Sequence, residues 1–424
     1  MVDDSEESTD EKNLIRARAR TLQRLHTNFA ITESVLAQIR DRAAGIIGVD
    51  FGVQSLTAAV WHQGAPHVIA NAEGDTSIPT FVAFGNDGQR LVGSPAKRQV
   101  TTNPKGTIHR VRDFIGRTPE QVEDVAREVP FEVIASENGL VHVKASEHTY
   151  SFAEIFGAVL DRVKRNAADY LDDGKVRGAA LAVPTYFGDL QKSASREAGQ
   201  IAHLPIEYVI SRPIAATLAY EWKGLLGSKT TLCYDLSRGG FCSSVVQKKK
   251  TGTHKILSHQ ETSSIGGDSF NERLIEHITD RFRQDTGIDL REDPMALQRL
   301  KEATKGAKCE LSSAQKTVVD LPFITAKDES PQHLKMKISR STFEELIASI
   351  VEQTVDLTKQ SVREAGLDPR GIDEIVLLGG DTRIPYVRQR VQEIMDQDPL
   401  SAVNPESAVA LGAAVQGARV ENLI

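Results

Sequence analysis

Two aspartates stand in the same setting in this chain. Asp50 ends the apolar run Ile46-Ile47-Gly48-Val49 and is followed, after Phe51, by Gly52. Asp235 ends Thr231-Leu232-Cys233-Tyr234 and is followed closely by Ser237-Arg238-Gly239-Gly240. A carboxylate at the end of a buried strand can hold a hydrated Mg²⁺, and a glycine beside it lets backbone N–H groups approach phosphate oxygens. One such turn is explained by ordinary turn chemistry. A repeated unit points further, to two halves built alike around a phosphorylated ligand. A third apolar run, Ile375-Val376-Leu377-Leu378, leads into Gly379-Gly380-Asp381-Thr382-Arg383 and supplies a glycine loop to the same site.

The elements needed to position these groups are legible around them. After each aspartate turn a second apolar run begins, at residues 56–61 and 241–246, so each unit reads as a β-hairpin. Helical spacing covers residues 152–171, 189–201, 213–222, 297–311, 342–365 and 408–417, with a buried strand at 179–183 between the first two. Strands alternating with helices give an α/β class, and 424 residues are too many for one simple core. A two-lobed molecule closing on its ligand is expected.

Composition removes several alternatives. With 40% hydrophobic and 26% charged residues the chain reads as an ordinary globular protein, and no apolar run approaches the length of a membrane span. A net charge of −7 argues against a nucleic-acid surface. The three cysteines, Cys233, Cys242 and Cys309, lack Cys-x-x-Cys spacing, so neither a zinc site nor a disulfide framework is expected, and the setting reads as a reducing compartment. Cys233 and Cys242 lie on the two arms of one hairpin and read as small buried residues.

The N-terminal 45 residues form an extension that is acidic at first and then amphipathic. In the segment from Asn13 to Arg42, Leu22, Leu25 and Phe29 share one helical face and Arg16, Arg20 and Arg24 step by four into a basic stripe. A helix docked on a partner protein or on the body of the chain is expected there.

From Ile46 onward the chain resembles the nucleotide-binding domain of the 70-kDa heat-shock (DnaK-like) proteins. The resemblance rests on Leu91-Val92-Gly93-Ser94-Pro95-Ala96-Lys97-Arg98-Gln99, Val183-Pro184-Thr185-Tyr186-Phe187, Pro213-Ile214-Ala215-Ala216-Thr217-Leu218-Ala219-Tyr220, Gly266-Gly267-Asp268-Ser269-Phe270, Glu310-Leu311-Ser312-Ser313 and Gly379-Gly380-Asp381-Thr382-Arg383-Ile384-Pro385, in family order. It implies a two-lobed actin/hexokinase-like ATPase fold with duplicated ribonuclease-H-like subdomains. Its division would be 46–79, 153–229 and 406–424 for the base of lobe I, 80–152 for its upper part, 230–268 and 346–405 for the base of lobe II, and 269–345 for its upper part. It implies ATP or ADP between the lobes, and J-domain proteins and nucleotide-exchange factors as partners. The wording is closer to bacterial and organellar members, which implies a bacterial cytoplasm, a mitochondrion or a plastid. The sequence stops at Leu423-Ile424 with no hydrophobic linker and no β-rich second half, so no peptide-binding domain is expected.

Carried over residue by residue, the resemblance places ligand contacts at Gly52, Val53, Gln54, Gly239, Gly240, Gly267, Lys305, Lys308, Ser312, Gly379, Gly380, Asp381 and Arg383, with Arg383 suited to stacking on a purine. Asp50 and Asp235 would face the metal. The chain also departs from the family pattern. Val53 and Gln54 replace two threonines, Arg112 stands at the catalytic lysine, Arg212 at the catalytic glutamate, Cys242 at a second aspartate of the other hairpin, and Lys305 at an acid that contacts ribose. A water-orienting carboxylate has thus become a fixed cation, and Mg²⁺ has lost ligands. The leading expectation is a pseudo-ATPase that binds nucleotide as a regulatory or structural subunit. A weakly active ATPase using Arg112 and Arg212 as arginine fingers, and a nucleotide-free scaffold, are the alternatives.

Overall fold

The computed structural model describes residues 45–424 except 86–87, 172–175, 228, 328–329 and 422. The amphipathic segment expected at 13–42 lies outside the described residues.

Two mixed β-sheets carry the two aspartates. The first runs in the order Ile206–Ser211, Gly178–Val183, Ile46–Phe51, Ser55–His62, Ala65–Val68, with Ser77–Pro79 also paired to Ser55–His62. The second runs His254–Thr262, Gly240–Lys248, Thr230–Ser237, Glu374–Leu378, and a parallel bridge from Val376 to Leu400 extends it. Asp50 lies between Thr57 on an antiparallel strand and Ala182 on a parallel one. Asp235 lies between Cys242 on an antiparallel strand and Leu378 on a parallel one. The two sheets are therefore one plan used twice, as the repeated motif predicts.

Both Ile46–Phe51 and Gly178–Val183 are buried along their whole length, because helices cover both faces of the sheet. On one face Phe152–Tyr170 packs beside Asp189–Ile201. Its start is fixed by a reciprocal cap: Ser151 Oγ accepts from Glu154 N at 3.1 Å and Glu154 Oε2 accepts from Ser151 N at 2.7 Å. On the other face lie Arg212–Trp222 and Ala408–Val420, whose Ala, Leu and Val side chains share a core with Ala182 and Ile210 of the first sheet and with Cys233, Val376 and Leu378 of the second. The two helices touch backbone to backbone; a Cβ on Gly412 would stand 1.6 Å from the Ala215 carbonyl oxygen. Only small residues permit that approach, and it wedges the helix Arg212–Trp222 between the sheets.

Helix starts differ from the sequence reading where a cap adds a turn. The polar helix expected from 297 begins at Pro294, because Asp293 accepts from Met295 N and Ala296 N at 2.9 and 3.0 Å and proline suits the first turn. The helix expected from 213 begins at Arg212, with Pro213 in its first turn. Arg112 lies on the short helix Val111–Phe114, entered through Arg110 at φ 56. That left-handed residue is tied down by Asp113 Oδ2 at 2.8 Å and Glu128 Oε2 at 2.6 Å. Among the described residues no helix is long and apolar enough to cross a membrane.

Candidate functional site

The wedged helix delivers Arg212 to both hairpins at once. Its Nη1 donates to Asp50 Oδ1 and its Nη2 donates to Asp235 Oδ2 at 2.8 Å. Asp50 and Arg212 are 8% and 9% exposed, so the contact is effectively dry. Burial holds the Asp50 carboxyl above its usual value, with the Arg212 charge opposing it. Burial also works against the Arg212 charge, but the two aspartates outweigh it and raise its affinity for the proton. Asp235 accepts a second bond from Ser237 Oγ. Cys242, directly across the ladder from Asp235, has its thiol pushed up to about 12 by burial, so it is neutral and no substitute for a carboxylate.

The tips of the two hairpins close against each other. A Cβ on Gly239 would lie 2.9 Å from Val53 Cβ, so Val53 fills the space between the turns. Gln54 Nε2 donates to Asp268 Oδ2 at 2.7 Å, and Arg238 Nη1 donates to Gln54 Oε1 at 2.7 Å. Arg238 Nε stands 3.8 Å from Asp268 Oδ1 and completes the triangle. The two threonine replacements thus join the lobes instead of leaving gaps. Gln54→Ala should cost no more than about 1 kcal/mol, since the partners are partly exposed, yet speed amide exchange at both turns. Unchanged exchange at residues 237–240 would contradict this account of the latch.

The glycine loop closes the remaining side. Gly379, at φ 82, leaves no room for a side chain; its Cβ would stand 2.2 Å from the Leu236 carbonyl oxygen. Beyond it, in the turn Gly380–Arg383, Asp381 accepts from Lys308 Nζ at 2.5 Å, and Lys308 Nζ also donates to the Gly267 carbonyl at 3.0 Å. Lys308 and Asp381 are 7% and 8% exposed. Ser312 Oγ donates to the Lys308 carbonyl at 3.3 Å. Arg383 sits on the open lip, half exposed, where its Nη2 donates to Asn404 Oδ1 at 2.7 Å and lies 3.2 Å from Glu406 Oε2. Lys305, on an exposed turn of the helix Pro294–Leu311, is held below the usual lysine range by burial of part of its side chain and by Arg238 and Lys97.

The structure therefore brings Val53 and Gln54 against Gly239 and Arg238, Gly240 against the Gly266–Gly267 turn, and Gly267, Lys308 and Asp381 into one buried knot, while Gly52 packs on Ser55 of its own hairpin. Arg112 lines a cavity beyond Arg212 whose wall also includes Gly239 and Gly240. Sequence reasoning missed that Arg212 takes both aspartates, that Gln54, Arg238 and Asp268 interlock, and that Lys308 is committed to Asp381. The one available signal was charge: Arg212 and Arg238 are cations in a site that also gathers Asp50, Asp235 and Asp268.

The donor set does not fit Mg²⁺. Asp50 and Asp235 both bond a guanidinium that already occupies the space between them, and a hard cation cannot share those oxygens with it. Among the described residues no group of three or more His, Cys, Asp or Glu side chains is placed to hold a metal ion. At the Gly379–Arg383 loop, by contrast, Arg383 presents a half-exposed planar cation at an open lip. A family model described as Hsp70 protein matches residues 46–422. With two equivalent sheets around a cleft and a match of that extent, the chain belongs to the Hsp70 family, whose members bind ATP or ADP, and these residues form its nucleotide-binding domain of the actin/hexokinase-like ATPase fold.

Proposed function

We propose that this chain is a non-hydrolysing Hsp70-type nucleotide-binding domain, a pseudo-ATPase that works as a binding, regulatory or structural subunit of a chaperone-related or larger assembly. The carrying observation is Arg212. The side chain at the position where the family orients water is a permanent cation, bonded to the two aspartates that would otherwise face the metal. Neither of the two replaced positions supplies a base: Arg212 cannot accept a proton, and the Cys242 thiol is neutral. Loss of one acid–base group typically slows a reaction about 10²–10⁴-fold, and here several are replaced together.

In this reading a nucleotide is held from the purine side by Gly379, Gly380, Arg383, Lys305, Lys308 and Ser312. Its phosphates lie near Gly52–Gln54 and Gly239–Gly240, with little help from Mg²⁺. Partner proteins are engaged through the segment 13–42, and J-domain proteins and nucleotide-exchange factors are the partner classes to test. The experiment is steady-state ATP turnover together with equilibrium binding of ATP and ADP, each with and without Mg²⁺. The expected outcome is turnover at background, unchanged by Asp50→Ala, and an affinity that Mg²⁺ alters little. Turnover at the level of active chaperone ATPases, abolished by Asp50→Ala, overturns the reading. One observation favours a second reading, a nucleotide-free scaffold: Val53 already closes the gap to Gly239 through which phosphates would pass. Absence of binding at millimolar ATP and ADP would select it.

A further inference from the structure

Away from the cleft, the strands Gly240–Lys248 and His254–Thr262 are joined by the turn Lys249-Lys250-Thr251-Gly252-Thr253. Lys249 N donates to the Thr253 carbonyl at 2.8 Å, and Gly252 turns the chain at φ 83. Lysines crowd this tip. Lys249, Lys250 and Lys255 are exposed and form no ion pair with the described residues. Lys248 is committed, with its Nζ 3.0 Å from Glu221 Oε2. The same buried carboxylate holds His254 Nε2 at 2.6 Å and lies 3.9 Å from Arg419 Nη2. Glu221 therefore has no charge left to offer the three free lysines, which stand together as a positive corner on a chain of net charge −7.

Arg419 also marks the place where the chain enters the fold. Two residues further on, Glu421 Oε2 accepts from Ile46 N at 3.5 Å, and its Oε1 accepts from Arg177. The last turn of the helix Ala408–Val420 is thus all that separates the start of the first strand from the basic corner. The residues ahead of that start begin with the complementary charge. Asp3, Asp4, Glu6, Glu7, Asp10 and Glu11 stand within the first eleven positions, with no lysine or arginine among them. Residues 12–44 are the tether between these acids and the entry point. A coil of that length spans about 30 Å, which is ample for a return to the same corner. Such a tether holds the acids at an effective concentration of about millimolar.

We propose that the acidic segment 1–11 docks on the lysine tip of its own chain, at Lys249, Lys250 and Lys255, and covers it. Exposed ion pairs are individually weak, so three of them together favour the covered form by about tenfold at low salt. Screening removes most of that preference at high salt. The contact goes beyond the nucleotide reading and does not depend on it. It leaves the segment 13–42 to the partner proteins proposed above, while fixing both of its ends to one corner of the molecule.

The test uses the full chain and a carbodiimide, which couples a carboxylate only to an amine in direct contact, with the links located by peptide mapping of the monomer. Links from residues 1–11 to Lys249, Lys250 or Lys255 are expected at low salt, and about fivefold fewer at about 1 M sodium chloride. A second readout is the rate at which each lysine is acetylated. Asp3→Asn, Asp4→Asn, Glu6→Gln, Glu7→Gln, Asp10→Asn and Glu11→Gln together, still in the full chain, should raise the rate at the three tip lysines by about threefold to tenfold. The exposed Lys105 is the control and should not change. No links at low salt, or equal tip rates in the two chains, overturn the proposal. So do links spread evenly over other lysines. A mixture of isotope-labelled and unlabelled chains identifies the occupant: links between copies would make a second chain the cover and overturn the intramolecular contact. ATP and ADP binding is read separately and should be the same in both chains, so failure of the nucleotide reading and failure of this one are distinguishable.

Discussion

Arg212→Met is expected to lower the unfolding free energy by about 3–5 kcal/mol, the usual cost of stripping one partner from a buried ion pair. The reasoning follows from what remains. Asp50 and Asp235 are then one buried and one partly buried carboxylate facing each other across the cleft, with methionine filling part of the volume but none of the charge. Both effects raise the Asp50 carboxyl further: burial already does so, and the opposing guanidinium is gone. A carboxyl raised above its unfolded value binds more protons in the folded state. Stability of the variant therefore falls as pH rises through that value and recovers on acidification. The loss should be largest near neutral pH and shrink towards the carboxylate range. Mg²⁺ should restore part of it, because two carboxylates freed of arginine can share a hydrated cation, and binding to the folded state alone stabilises it. The measurement is urea unfolding of wild type and variant at two pH values, with and without millimolar Mg²⁺. A variant as stable as wild type would remove Arg212 as the clamp between the halves. A loss that neither acid nor Mg²⁺ relieves would mean that packing, not charge, is what the arginine supplies.

The second large effect is expected at Lys308→Met. Lys308 neutralises Asp381 at 2.5 Å and caps the Gly267 carbonyl at 3.0 Å, all in a nearly dry setting. Its removal leaves a buried carboxylate and an unmet carbonyl, at a cost of about 3–5 kcal/mol. Asp381→Asn in the same background removes the stranded charge and should recover a large part of the loss, so the two changes are strongly non-additive. Because Asp381 sits in the turn Gly380–Arg383, the single variant should also loosen that turn and weaken any nucleotide held from the purine side. Denaturant unfolding of the two single variants and the double variant checks the cycle. Additive losses would show that Lys308 and Asp381 do not act as a pair, and the account of the glycine loop would fail with it.

The sequence alone determined the parts of this protein that local pattern encodes. Apolar runs ending in Asp50 and Asp235, each followed by glycine, predict two strand-turn units, and the structure sets those aspartates at equivalent places in two sheets. The glycines after Leu378 predict a loop, and the structure adds the reason at Gly379, where a left-handed backbone pressed on Leu236 leaves no room for a side chain. The helix Asp189–Ile201 follows from its 3.6-residue spacing, and two of the ends that slipped, at Pro294 and Arg212, are ones where a cap or a first-turn proline added residues beyond the apolar pattern; the helix Ala408–Val420 runs three residues past the expected end.

What only the tertiary structure decided is the partner of each charge. Arg212 is 162 residues from Asp50 and 23 from Asp235, and it meets both because a helix of small residues is wedged between two sheets. Gln54 meets Asp268 across 214 residues, and Lys308 meets Asp381 across 73. From the sequence these read as a fixed cation in place of a carboxylate, a lost ligand and a kept nucleotide contact. An ion pair depends on a few ångströms between side chains that packing, and not local periodicity, brings together. For the same reason Arg112 reads in the chain only as a replaced lysine, and its place on the wall of a cavity, with Nε left without a partner, is decided by packing.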